Sequence, residues 1–304
     1  MRLQTLKYLS DELHSDFLIF YYDFMCKAFK KKHSYFDNKA HNRCIKKYKK
    51  KYSEYIEILN SKYNKVQEIV PSKNIWVFWY QGLENAPEVV KIGIDSIKTK
   101  YNDHNVVIIT KDNLENYLSI PERIKSNINK GKLTYTNFSD YLRLGLLKKY
   151  GGAWIDSTCF INKKIDFEKY SFYSIHHDLY SNWHVCRGKW TSFFLYSIKN
   201  DNLISFSFDF MNNYLKTHNR FPTYLWIDCI FRIAYETNDV IKNEIDAVPV
   251  NNKGVLTLSD SMESNKDISN FNYSGDVYKL FWKIHYPVDK MEQFKKFVND
   301  NKKL

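Results

Sequence analysis

A chain of 304 residues suits one large α/β domain with an appendage or two modest domains, and 44% apolar content supports a core that excludes global disorder. Lys and Arg outnumber Asp and Glu by 46 to 34, and the net charge of +12 favours anionic partners: nucleic acid, phosphorylated substrates or an acidic membrane surface. The five cysteines (Cys26, Cys44, Cys159, Cys186 and Cys229) are scattered without a C-x-x-C pair, which argues against a disulfide framework or zinc site and for a reducing cytosol.

Residues 1–70 read as a helical, basic and aromatic segment distinct from residues 71–304. Asp16 to Met25 is an aromatic and apolar run, and Lys27 to Lys51 holds eleven Lys/Arg against the single acidic Asp37. Two readings stay open: a helical hairpin with a solvated basic face, or an interfacial segment over 17–51 that turns aromatics to lipid and lysines to anionic headgroups. No signal peptide is read at the N-terminus and no apolar run reaches spanning length, so the expected location is cytoplasmic, with a peripheral place on the inner face of a bacterial membrane as an extension.

Pro71 opens the main domain. Ile75 to Tyr80 (IWVFWY) reads as a strand buried on both faces, and Pro87 opens a helix running to about Tyr101. Asn105 to Thr110 reads as a second buried strand, with helical stretches at Asp112–Leu118 and Pro121–Asn129. A helix capped by Ser139 then ends at Gly151, followed by a short strand, Ala153 to Ile155, that delivers Asp156 to its C-terminal end. This β-α-β-α-α-β alternation argues for a parallel sheet of the nucleotide-binding kind, although neither GxGxxG nor GxxxxGK[ST] is present. Further on, Cys159–Ile161 and Thr191–Tyr196 read as strands, Asn202–Leu215 and Thr223–Tyr235 as helices, and the tail as basic and helical.

The chemistry concentrates in the helix and strand around Asp156. Asp140 and Arg143, three apart, share a helix face, and ligands of open α/β sheets bind at the C-terminal ends of strands such as the one that carries Asp156. A carboxylate there suits a divalent cation on substrate phosphates, Thr158 adds a hydroxyl two residues on, and the Arg143 fork suits a phosphate or a sugar hydroxyl. Singly, each has a plain structural alternative: a surface ion pair for Asp140 and Arg143, a turn residue for Asp156. Asp228 shares a helix face with Tyr224 and with Arg232, so it either lines a pocket or pairs with that arginine. His176, His177 and His184 read as surface residues, while Tyr180, Trp183 and Trp190 are candidates to stack on an acceptor sugar.

The pieces IWVFWYQGLENAPEVV, LTYTNFSDYLRLGLLKKYGGAWIDSTCF, GKWTSFFL and TYLWID resemble the bacterial capsular polysaccharide synthesis glycosyltransferases, which stand with glycosyltransferase family 32 and, more distantly, the large clostridial glucosylating toxins. The resemblance spans about residues 71–290 and rests on S-D-x-x-R…G-G-x-W-x-D. It implies a GT-A fold (a Rossmann-like mixed sheet flanked by helices), a UDP-sugar donor, Mn²⁺ or Mg²⁺, and hexosyl transfer with retention to a surface or capsular, lipid-linked glycan. Carried over by residue, it implies that Asp140 contacts the donor sugar, Arg143 a sugar or phosphate group, and that Trp79 stacks on uracil. Asp156 matches the first carboxylate of the family's D-x-D metal motif, whose last position is here Thr158; His285 is the candidate to complete the shell. The resemblance also places a Y-x-x-x-D helix at Tyr224 and Asp228, which implies that Asp228 lines the donor or acceptor pocket. A toxin-like transferase acting on protein is the enzymatic rival, and a basic nucleic-acid-binding protein the rival of another class; no nucleic acid is expected as partner.

Overall fold

A computed structural model of the chain describes residues 16–28, 35–178, 184–264 and 267–301. The centre is a five-stranded sheet in the order β2-β1-β3-β6-β5, built from β1 (Asn74–Phe78), β2 (Asn105–Ile109), β3 (Gly152–Ile155), β5 (Phe172–Ser174) and β6 (Phe194–Ser197). β1 pairs parallel with both β2 and β3, but β6 runs antiparallel to β3 and to β5, so the sheet is mixed rather than wholly parallel. A second, two-stranded sheet pairs β4 (Cys159–Ile161) antiparallel with β7 (Val277–Lys279).

Helices cover the sheet. α4 (Glu88–Lys100) starts after Pro87 and buries Val89, Val90, Ile94 and Ile97. The short α5 (Leu114–Tyr117) and α6 (Glu122–Asn129) lead into α7 (Tyr135–Tyr150). Ser139 does not cap α7. Thr134 does, in a capping box with Asn137, and Ser139 sits a turn inside with its hydroxyl donating to the Thr136 carbonyl. The helix stops at Gly151, whose φ of 67° is costly for a side-chain-bearing residue. Gly152, at φ 97°, lets β3 approach β1 so closely that a Cβ there would lie 2.2 Å from the Asn74 carbonyl oxygen.

The sequence C-terminal to β6 forms α8 (Asn202–Thr217), capped by Asp201, then α9 (Trp226–Thr237), α10 (Asp239–Asp246), α11 (Thr257–Glu263) and α12 (Val288–Asn301). α9 starts three residues later than the spacing suggested, which leaves Tyr224 outside the helix and about half exposed. At the N-terminus lie α1 (Phe17–Ala28), α2 (Tyr35–Lys51) and α3 (Ser53–Lys62). These three are not a detached appendage. Tyr48 of α2 is buried edge-on to Trp226 (centroids 4.9 Å) and Tyr214 (5.6 Å), and Ile19, Cys44, Ile56 and Leu59 join the same core as the sheet. The change near residue 70 is one of composition, not of packing.

Candidate active site

Strand direction assembles the site. Because β1 and β3 are parallel, the residues that follow them, Trp79 and Asp156, lie at one edge of the sheet. Antiparallel β6 begins at that same edge, and the Asp156 amide donates to the Phe193 carbonyl (2.9 Å). The turn closes with the Cys159 amide donating back to the Asp156 carbonyl (2.9 Å), which sends the chain into β4. β4 in turn fixes β7, with Lys279 opposite Cys159, and this register carries the Lys279 ammonium to Asp156 and Thr158.

Asp156 is the hub. Its Oδ1 accepts from the Trp154 indole (2.9 Å) and from Arg143 Nη2 (3.3 Å), and its Oδ2 accepts from Lys279 Nζ (2.8 Å). Arg143, fully buried, also donates through Nη1 to Asp140 Oδ1 (2.6 Å) and lies over the Trp154 ring at 4.9 Å. Burial pushes the Asp156 carboxyl up, but Lys279 and Arg143 outweigh it and hold the group below the usual carboxylate range. Asp140 goes the other way: burial, helped by the negative charges of Asp228 and Asp156, outweighs Arg143 and raises it to about 7. Two carboxyls that share one guanidinium are thus driven apart, an arrangement typical of sites that move protons or bind polar ligands.

Asp228 is buried, and its Oδ1 accepts from the Trp190 indole (2.8 Å). Burial raises its pKa against the opposing influence of His184, the Trp190 bond and Arg143. It does not pair with Arg232, which donates to Glu236 instead (2.7 Å). Trp190 is therefore not a stacking platform: it is fully enclosed, packs near Phe231 (6.0 Å) and orients Asp228. Of the histidines read as surface residues, His177 is buried and His184 approaches Cys186 Sγ (3.0 Å) while bearing electrostatically on Asp228. Tyr180 and Trp183 lie outside the described residues.

Trp79 is half-buried and meets the exposed Trp282 edge-to-face at 5.6 Å, so the rim of the site offers two indoles. Trp76 is core. The expected metal shell does not form. Thr158 is buried with its Oγ1 accepting from Lys279 Nζ (2.7 Å), the same ammonium that holds Asp156, and His285 is exposed between β7 and α12. An oxygen-loving dication needs several free oxygen ligands, and here both Asp156 oxygens and the Thr158 hydroxyl are already engaged by N–H donors. Among the described residues no three His, Cys, Asp or Glu side chains cluster to hold an ion. Asp156, Thr158 and His285 do not fit as its ligands.

Lys279 and Trp154 are the residues that sequence reasoning passed over. Trp154 was legible as the strand residue two before Asp156. Lys279 carried no such signal, since only the β4–β7 register links it to Asp156 across 123 positions.

Comparison with known proteins covers most of the chain. An O-glycosyltransferase, braB, of Annulohypoxylon truncatum is 28% identical over 107 residues, 32% of this chain and 25% of that protein, so the match spans a quarter of the relative's length. The solved PaToxG glycosyltransferase aligns with a TM-score of 0.39 at 19% identity, over 69% of this chain and 89% of that one. The family model described as capsular polysaccharide synthesis protein matches residues 25–298. The chain belongs to the capsular polysaccharide synthesis protein family.

Proposed function

We propose that this protein is a GT-A glycosyltransferase that transfers a hexose from a UDP-sugar to a lipid-linked surface or capsular glycan, with retention of configuration. The observation that carries the reading is the ion-paired chain Asp140–Arg143–Asp156 at the C-terminal end of β3, with the buried Asp228 near enough to bear electrostatically on Asp140. Family membership and the partial likeness to an O-glycosyltransferase point the same way.

Each group has a task in such a reaction. Trp79 stacks on the uracil face. Arg143 donates to the diphosphate or a sugar hydroxyl, and its charge favours the negative charge that develops as the bond from C1 to the phosphate oxygen breaks. Asp140 orients a sugar hydroxyl, accepting a hydrogen bond when ionised and donating one when protonated. Asp228 lines the sugar side. In retaining transfer the acceptor hydroxyl attacks on the face the phosphate leaves, the new C1–O bond forms, and the acceptor proton passes to the departing phosphate oxygen.

A hydrolysis screen against UDP-glucose, UDP-galactose and UDP-N-acetylhexosamines, with and without Mn²⁺, tests the reading. Turnover of one donor, with a thermal shift by UDP, is expected; no hydrolysis and no shift with any donor would overturn it. Asp228→Asn is expected to lower turnover by about 100-fold or more, the scale of a lost acid–base or positioning group, with an unchanged circular dichroism spectrum.

A lipid-linked acceptor calls for a place at a membrane. The exposed Phe17, Leu18, Tyr21 and Phe24 of α1 support docking on an anionic inner leaflet, and Lys46 and Lys50 of α2, the helix packed on α1, are exposed as well. No helix among the described residues is long and apolar enough to cross a membrane.

A further inference from the structure

We propose that the Lys279 ammonium supplies, at the donor diphosphate, the positive charge that a divalent cation would otherwise supply, so that nucleotide binding at this site needs no metal ion. The inference rests on the glycosyltransferase reading and names the cation of that same site.

Three observations carry it. First, Lys279 Nζ lies 2.8 Å from Asp156 Oδ2 and 2.7 Å from Thr158 Oγ1, so one ammonium engages both side chains that were expected to hold a cation. Second, the position is built rather than casual. The side chain is about 10% exposed, its ammonium lies 5.3 Å from the Phe193 ring and 5.9 Å from that of Phe281, and its backbone is pinned by Lys279 N–H to the Val255 carbonyl (2.8 Å). The next amide, Leu280, donates to the Thr158 carbonyl (3.0 Å), so turn and lysine are fixed to each other. Third, the charges match. A dication between two carboxylates and an ammonium beside one carboxylate and one hydroxyl are both neutral overall, and Thr158 stands where the second carboxylate would be needed. Among the described residues two of the three ammonium hydrogens are taken, which leaves one donor for a phosphate oxygen, with Arg143 supplying the second positive charge from the other side of Asp156.

An ammonium is a strongly hydrated point charge, and binding phosphate through a preformed, largely desolvated lysine removes the need to recruit and order an ion. Calorimetric binding of UDP to the full chain, in EDTA and in excess Mn²⁺, reads this directly. The expected Kd agrees between the two conditions within about twofold, less than 0.5 kcal/mol. Lys279→Met is expected to weaken UDP by about tenfold or more in both conditions, the usual loss for a hydrogen bond to a charged group, and Lys279→Arg to recover part of it. Circular dichroism confirms that each variant is folded, and the EDTA comparison on the wild-type protein stands even if one is not. Binding that vanishes in EDTA and returns with Mn²⁺ would overturn the inference alone and leave the transferase reading intact, as would full affinity in Lys279→Met. Absence of UDP binding by the wild-type protein in both conditions would overturn the transferase reading and the inference with it.

Discussion

At the scale of single residues, Asp156 is the counter-charge for two cations, Arg143 and Lys279, that are almost wholly enclosed. Asp156→Asn would leave both without it, and breaking an ion pair of this kind costs about 3–5 kcal/mol, measurable by urea denaturation at neutral pH. The two carboxyls then give opposite pH signatures. Asp156 titrates below its ordinary value, so its contribution is present above pH 3.8 and is lost as the pH falls through its lowered folded pKa. Asp140 titrates above its ordinary value, so its contribution is complete below pH 3.8 and is lost as the pH rises toward about 7. Asp140→Asn removes that loss. Its thermal midpoint is expected to fall less than that of the wild type between those two values, and an unaltered profile would show that Asp140 titrates normally. The residues Asp140, Arg143 and Asp156 were legible because helix and strand periodicity alone puts them near one sheet edge. Their opposite titration was not, because burial and neighbouring charge set it.

At the scale of elements, the site turn leans on a helix with no room to spare. A Cβ at Gly93 of α4 would lie 2.3 Å from the Ser157 carbonyl oxygen, and backbone cannot yield as a flexible side chain can. Gly93→Ala is expected to cost about 1–3 kcal/mol, the range for overpacking, and to weaken UDP binding because the turn between Asp156 and Cys159 must shift. Unchanged affinity would show that the turn moves independently of the donor site. Trp190→Phe tests a second coupling. It leaves the buried Asp228 carboxyl without its indole donor, an expected loss of about 1–3 kcal/mol, and a fall in kcat with little change in KM would mark Trp190 as a positioning residue. Element boundaries were less legible than their order. Ser139 looks like a cap in isolation, yet the Thr134–Asn137 pair satisfies two backbone groups reciprocally and starts the helix a turn earlier.

At the scale of the whole molecule, α1 and α2 show how one segment serves two surfaces. α2 spends Cys44, Ile45 and Tyr48 on the core, while α1 turns Phe17, Leu18, Tyr21 and Phe24 outward. Part of the basic face is internally balanced: Arg43 reaches Asp16 (2.9 Å), and Lys49 reaches Glu236 (3.4 Å). Because removal of 1–51 would open the core, point changes are the sounder probe. Phe17→Ser with Phe24→Ser is expected to reduce flotation with vesicles rich in anionic lipid by about tenfold or more while leaving donor hydrolysis intact, and wild-type flotation should weaken with added salt. Equal flotation by the double variant would remove α1 from membrane contact.

What the amino-acid sequence determined by itself is the local and the periodic: the buried strand IWVF, the existence of the strand NVVII (though it lies at the sheet edge, where its burial alternates and it is not enclosed on both faces as expected), the amphipathic helices, the glycine stop before β3, and the placement of Asp156 at a strand end. These follow from side-chain period and backbone freedom, which act over a few residues. Tertiary structure alone decided the antiparallel turn of β6 that brings Trp190 to Asp228, the core contacts of α2, and above all the pairing of Lys279 with Asp156 and Thr158. Those depend on register between distant strands and on burial that makes each charge demand a partner, neither of which is written in any short stretch of chain.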